Sequence, residues 1–152
     1  MPLAPQELRT FFTTAVTANR RRISQVESNA ELLLNLFNED RAKDRYQLHT
    51  FVLMPDHIHL LITPAPDISI EKAMQFIKGG FSFRLRSKFD VWQGGFTKRR
   101  IEDARDFANH ATYIHENPVR ARLCGRAEDF PYSSANRIIS TDPAPAHLKA
   151  QS

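Results

Sequence analysis

The stretch YQLHTFVLMPDHIHLLITP, residues Tyr46 to Pro64, decides how the rest of the chain is read. Two apolar runs flank Pro55-Asp56. Proline has no amide hydrogen to give a central ladder, so one long strand is disfavoured. Pro-Asp is good turn chemistry, because proline presets φ for the second turn position. The spacing predicts a hairpin: a strand from Tyr46 to Met54, a turn, and a strand from His57 to Thr63. Side chains alternate along a strand. His57, His59 and Leu61 then share one face, and Ile58, Leu60 and Ile62 the other. Two histidines in so apolar a setting are either satisfied by neighbours or used by a ligand.

Upstream, FFTTAV alternates in the same way, with Phe11, Thr13 and Ala15 on one side and Phe12, Thr14 and Val16 on the other. Its β-branched and aromatic content predicts a first strand. Next, Leu32, Leu33, Leu36 and Phe37 recur at helical spacing. Ser28 and Glu31 before them form a candidate capping box. Beyond the hairpin, Ser69 is positioned to cap a second helix whose buried stripe is Ile70, Ala73, Met74, Ile77, Phe81 and Leu85. Gly79-Gly80 inside it mark a kink or a close approach to a neighbour. VWQGGF (Val91 to Phe96) is the candidate fourth strand. A third helix follows, with Ala104, Phe107, Ala108, Ala111 and Ile114 as its apolar face. Pro118 disfavours helix at Asn117 and should end it there.

The order strand, helix, hairpin, helix, strand, helix predicts an α+β fold: an antiparallel sheet with helices packed mainly on one face, ferredoxin-like in arrangement. The 152 residues, 41% of them hydrophobic, suit one domain over residues 1–135, with a tail over 136–152 that is loose at its end. No apolar run reaches the roughly 20 residues that span a bilayer, and MPLAPQELRTFF does not read as a signal peptide. The single cysteine, Cys124, excludes an internal disulfide and a cysteine metal cluster. These features predict a cytoplasmic protein. The net charge of +4 and pI near 9.5 suit a polyanionic partner. Arg20, Arg21, Arg22, Lys78, Arg84, Lys98, Arg99 and Arg100 are candidate phosphate contacts.

On a strand, His57 and His59 lie about 6.5–7 Å apart and point the same way. They can converge on one metal ion. On the third helix Tyr113 falls opposite the apolar face, with Asn117 one turn beyond and Asp106 and His110 on the same polar side. Two imidazoles and an amide oxygen would make a mixed site for Mg²⁺ or Mn²⁺ if that face lies over the histidines. A tyrosine beside it could then act as a nucleophile toward phosphorus.

These blocks resemble a known family. FVLMPDHIHLLITP resembles the histidine–hydrophobic–histidine (HUH) motif of single-tyrosine transposases. WQGGF, YIHENPVRARL and DFPYSSA resemble its further blocks, nearest to the REP-associated tyrosine transposases. The resemblance runs from about Arg9 to Ala135. It implies Tyr113 as nucleophile and His57, His59 and Asn117 as metal ligands. It further implies cleavage and strand transfer of single-stranded DNA through a 5′-phosphotyrosine, on palindromes folded as hairpins, by a monomer or homodimer. Asp56, Arg122 and Tyr132 stand where the family commonly has Asn, Gly and Trp. Two rival readings keep part of this: a protein that binds such hairpins without cutting, and a metal-dependent phosphodiester hydrolase that uses water. A third, an RNA-binding module, would need more exposed aromatics on its strands than Phe51.

Overall fold

A computed structural model of the protein describes residues 8–148. The first seven and last four residues, on which the leader reading and the loose chain end partly rest, lie outside the described residues. The elements run β1 (Phe11–Val16), α1 (Glu27–Ala42), β2 (Tyr46–Met54), β3 (His57–Pro64), α2 (Ile70–Leu85), β4 (Thr97–Arg100) and α3 (Ala104–Arg120). The strands form one antiparallel sheet in the order β2-β3-β1-β4. This is the split βαβ order of a ferredoxin-like sheet.

The hairpin forms where its alternation and turn predict. β3 sends Ile58, Leu60 and Ile62 into the main core, together with Phe11 and Ala15 of β1. Leu33, Leu36 and Phe37 of α1 and Ala73, Met74, Ile77 and Phe81 of α2 cover them there. So α1 and α2 share one face, and α3 takes the opposite one. Around α3 a smaller apolar cluster joins Val52, Met54, Leu61, Ile101, Ile114 and Phe130. β2 reaches both cores because it carries a bulge. Leu48 pairs with Ile62 but Thr50 pairs with Leu61, leaving His49 as an extra residue. The bulge resets the side-chain parity, so Leu48 and then Phe51 and Leu53 all enter the main core.

Four expectations change. β4 is TKRR, not VWQGGF. An edge strand needs only one neighbour, and four exposed residues can pair through their backbone while keeping their charges in water. In VWQGGF, Gly95 has φ +74 and Trp92 makes only an isolated bridge to Thr17. α1 starts at Glu27 with Val26 as its cap and no side-chain cap, so Ser28 lies inside the first turn and the capping box does not form. α3 runs through Pro118 to Arg120, with Pro118 buried. Burial of Ile114 and Pro118 outweighs the steric bias at Asn117. The packed face of α3 is Phe107, Ala111, Ile114 and Pro118, while Ala104 and Ala108 are exposed.

Ser69 caps α2 as expected, accepting from the Lys72 amide at 3.0 Å. The glycine pair proves to be a close approach. A Cβ on Gly80 would stand 3.0 Å from Leu36 Cδ1, whereas one on Gly79 would meet nothing within 4 Å. The two alanine variants should therefore differ in sign. Gly79→Ala gains about 0.5–1 kcal/mol of helix propensity. Gly80→Ala pushes on a buried leucine and loses about 1–2 kcal/mol net. Urea denaturation of both variants checks this.

Past Ala135 the chain remains packed. The Asp142 amide donates to Leu48 O at 2.8 Å, and Asp142 Oδ2 accepts from the Leu48 amide and from Arg41 Nε. No helix among the described residues is long and apolar enough to cross a membrane.

Candidate active site

β3 presents His57 and His59 on the face that α3 covers. Their rings lie 4.7 Å apart, centroid to centroid, edge on. Each is fixed through its Nδ1. His57 Nδ1 donates to Asp56 Oδ1 at 2.8 Å. His59 Nδ1 and Thr14 Oγ1 share a hydrogen bond of 2.7 Å, set by the β1–β3 register that pairs Thr14 with His59. A carboxylate can only accept, so His57 carries a proton on Nδ1, and Nε2 is the nitrogen left for a ligand. Thr14 can favour the same tautomer in His59. Neither Nε2 has a hydrogen-bond partner among the described residues.

Electrostatics agree with a ligand-ready His59 ring. Burial pushes the pKa of His59 down to about 3, and the neighbouring His57 acts in the same direction. Burial alone would raise the Asp56 carboxyl, but its hydrogen bonds from His57 and Arg20 hold it below the usual range. Asp56 therefore serves as the orienting anion of the turn. This gives the aspartate a physical role.

α3 brings Tyr113 to the histidines. Its ring centroid is 5.6 Å from that of His59 and 5.9 Å from that of Phe12, and the residue is 41% exposed. The Arg120 guanidinium lies 4.6 Å from the ring centroid, and Arg120 Nη2 donates to the Tyr113 carbonyl at 3.2 Å. Phe12, Thr14, His59, Asn109, His110 and Tyr113 enclose a cleft of about 380 Å³. Asn117 is half-buried, and its amide has no partner among the described residues. Among those residues no three of His, Cys, Asp or Glu gather on one point. A third ligand from the described residues would then be another type of donor, such as the Asn117 side-chain amide.

Three contributors escape a reading of the sequence: Phe12, Thr14 and His110. Phe12 stacks on His59 at 5.3 Å and meets His110 at 4.9 Å. His110 Nδ1 donates to the Asp106 carbonyl at 2.9 Å and lies 3.2 Å from Asp106 Oδ1. The helical wheel places His110 beside Asn117. Only packing reveals that its ring enters the cleft.

The basic candidates separate by place. Arg20 pairs with Asp56 at 3.3 Å, and Arg99, opposite Phe12 on the sheet, lies 3.7 Å from Asp106. Both flank the site. Arg21 bonds the Asp90 carbonyl, and Arg22 is exposed. Lys98 and Arg100 alternate with Arg99 and project from the other side of β4, Lys98 pairing with Glu71. Arg84 pairs with Glu39 in the helical layer behind the sheet. The Lys78 ammonium bonds the carbonyls of Gln93 and Gly95 and clamps that loop.

The block DFPYSSA fixes α3 to the sheet. Ser134 Oγ bonds His115 Nε2 at 2.7 Å and takes the Phe51 amide at 3.0 Å, and the Leu53 amide donates to Tyr132 O at 2.8 Å. Arg122 has φ +62 just past the helix end. That left-handed C-terminal position is one glycine fills without steric cost.

Comparison with known proteins agrees with this geometry. A family model described as "Transposase IS200 like" matches residues 10–117. A REP-associated tyrosine transposase of Escherichia coli (strain K12) is 25% identical over 131 residues, covering 86% of this chain and 78% of that protein. A Haemophilus influenzae protein assigned to the same group is 33% identical over 156 residues, covering 89% of this chain and 84% of its own. A solved REP-associated tyrosine transposase bound to a REP hairpin shares the fold, with a TM-score of 0.75 and 22% identity over 94% of this chain and 92% of that one. Together with the histidine pair and the tyrosine set against it, these matches place the chain in the IS200-like transposase family, among the REP-associated tyrosine transposases.

Proposed function

We propose that this transposase cuts and rejoins single-stranded DNA with Tyr113 as the nucleophile. The observation that carries this is the half-exposed Tyr113 ring set edge-on against His59, over a cleft that His59 of the histidine pair lines. The Tyr113 oxygen attacks phosphorus and the bond to the 3′-oxygen breaks. One strand end is then a 5′-phosphotyrosine and the other a free 3′-OH. A later attack by a 3′-OH on that linkage rejoins DNA and frees the phenol, so the phosphodiester energy is kept. Arg120 holds the tyrosine ring and adds positive charge beside the point of attack. His110, fixed by Asp106, lines the same cleft as Tyr113 and is a candidate to move the phenol proton.

His57, His59 and Asn117 would hold a Mg²⁺ or Mn²⁺ ion, which when bound supplies Lewis-acid polarisation of the scissile phosphate. Thr14 and Asp56 orient the two imidazoles toward that task. Partners of this kind are typically worth about 10–100-fold in metal affinity. Thr14→Val should therefore weaken Mn²⁺ binding by about that factor, read by titration calorimetry. An unchanged affinity would remove Thr14 from the site.

One solved relative is bound to a REP hairpin, and this supports a substrate class. DNA palindromes folded as hairpins, of the REP type, fit a basic chain with Arg20 and Arg99 flanking the cleft. The function is tested by incubating the protein with end-labelled single-stranded hairpin oligonucleotides and Mg²⁺ or Mn²⁺. A labelled protein band on a denaturing gel is expected, with the adduct mapping to the peptide that contains Tyr113. Cleavage that releases a 5′-phosphate with no adduct would identify a hydrolase that uses water. Binding with neither product would identify a hairpin-binding protein.

A further inference from the structure

Residues two apart on a helix lie about 200° from each other around its axis. Tyr113 and His115 therefore stand on opposite flanks of α3. Between them runs the stripe of Phe107, Ala111, Ile114 and Pro118 that seats the helix on the sheet. The seat is narrow, because Ile114 and Pro118 are the buried residues of α3. Packing on so thin a line sets the height of the helix better than its roll about its own axis. Roll matters for chemistry. With side-chain tips roughly 5–6 Å from the axis, a roll of about 10° carries the tip of Tyr113 through about 1 Å. On its own flank Tyr113 meets the site through ring contacts with Phe12 and His59.

The His115 flank is held by a short hydrogen bond, 2.7 Å from Nε2 to Ser134 Oγ. Ser134 is itself bound to the rim of the sheet. Its Oγ takes the Phe51 amide at 3.0 Å and gives to the Phe51 carbonyl at 3.2 Å. A hydroxyl has one hydrogen and two lone pairs. One arrangement serves all three partners: the hydrogen goes to Phe51 O, and the lone pairs take the Phe51 amide and His115 Nε2–H. Every capacity of the hydroxyl is then used. The residues before it are anchored too. Ser133 is fully buried and bridges to Val52, and Tyr132 O takes the Leu53 amide. The sheet that carries His59 thus grips α3 on the side away from Tyr113.

We infer that His115 and Ser134 are positioning residues for strand cleavage: their hydrogen bond fixes the roll of α3, and with it the reach of the Tyr113 oxygen to phosphorus. This rests on the function proposed above and adds the groups that aim its nucleophile. A misplacement of about 1 Å far from the chemistry can cost about 10²-fold in rate.

The test uses the full chain and two readouts. The first is the single-turnover rate of adduct formation at saturating hairpin oligonucleotide, with the dissociation constant measured beside it. His115→Leu should slow the adduct by about 10- to 100-fold and leave the dissociation constant within about twofold. His115→Gln keeps an N–H donor toward Ser134 and should recover most of the rate. Ser134→Ala should match His115→Leu, and combining the two should add little, as for two halves of one contact. The second readout needs no DNA. The chain has three tyrosines, Tyr46, Tyr113 and Tyr132, which 3-fluorotyrosine labels for ¹⁹F resonance. In His115→Leu the Tyr113 signal should move, while that of Tyr46, buried in the main core, stays and reports an intact fold. The inference is overturned if His115→Leu forms adduct at the parent rate, if its loss lies in DNA affinity, or if His115→Gln is as slow as His115→Leu. If the parent forms no adduct, the proposed function fails and the fluorine signal decides alone: an unmoved Tyr113 overturns the positioning role, and a moved one upholds it.

Discussion

Replacing Tyr113 by phenylalanine is expected to lower strand cleavage by about 10⁴-fold or more, by analogy with loss of an enzyme nucleophile. DNA affinity should stay within a few-fold. The change removes one oxygen and keeps the ring, so the contacts with Phe12, His59 and Arg120 survive. Affinity rests on phosphate contacts spread over basic residues, which the variant leaves in place. Single-turnover cleavage and a gel-shift titration, run side by side, measure the two effects. Cleavage at the parent rate would make water the nucleophile and leave Tyr113 as a packing residue.

The second large effect is on stability in acid. Burial holds His59 neutral down to about pH 3, whereas an unfolded chain protonates histidine near 6.5. Between those values the unfolded state carries a proton that the folded state lacks. Stability therefore rises with pH across this window. The contribution is fully present above about pH 6.5 and is lost as pH falls toward 3. The slope approaches about 1.4 kcal/mol per pH unit. His49, also lowered by burial, adds loss of the same sign. In metal-free buffer, His59→Gln should lose about 2 kcal/mol less than the parent between pH 7.5 and 5. Urea denaturation at both values measures this. Equal losses in the two proteins would mean that His59 titrates normally.

Much of this molecule is legible in its sequence where two physical signals coincide. The hairpin was readable because period-two alternation met an unambiguous turn at Pro55-Asp56. The stripes of α1 and α2 were readable from helical spacing. β4 was not, because an edge strand of four charged, exposed residues has no alternation to detect. The bulge at His49 is equally silent, since it is defined by pairing between strands. Pro118 misled for another reason: a local backbone bias lost to the burial of Ile114 and Pro118.

The site divides along the same line. His57, His59 and Tyr113 carry their chemistry in their side-chain types, and the structure brings all three together. Thr14 and Phe12 look like ordinary strand residues until register sets them against His59 and α3. Lys78 and Arg84 read as phosphate contacts in the sequence, and the structure adds what each touches, the carbonyls of Gln93 and Gly95 for Lys78 and Glu39 for Arg84. Charge can be read from composition, but what a charge is already holding cannot.

The sheet has two margins, and they are guarded differently. On one side β4 is lined with lysine and arginine, which repel another copy of themselves. On the other, the outer backbone of β2 is already occupied: Leu48 by Asp142, Phe51 by Ser134 and Leu53 by Tyr132. The polypeptide after α3 thus acts as a stopper on an otherwise adhesive border. A shortened chain lacking it would keep the histidines and the tyrosine, yet expose a template for pairing with other strands, the usual start of aggregation.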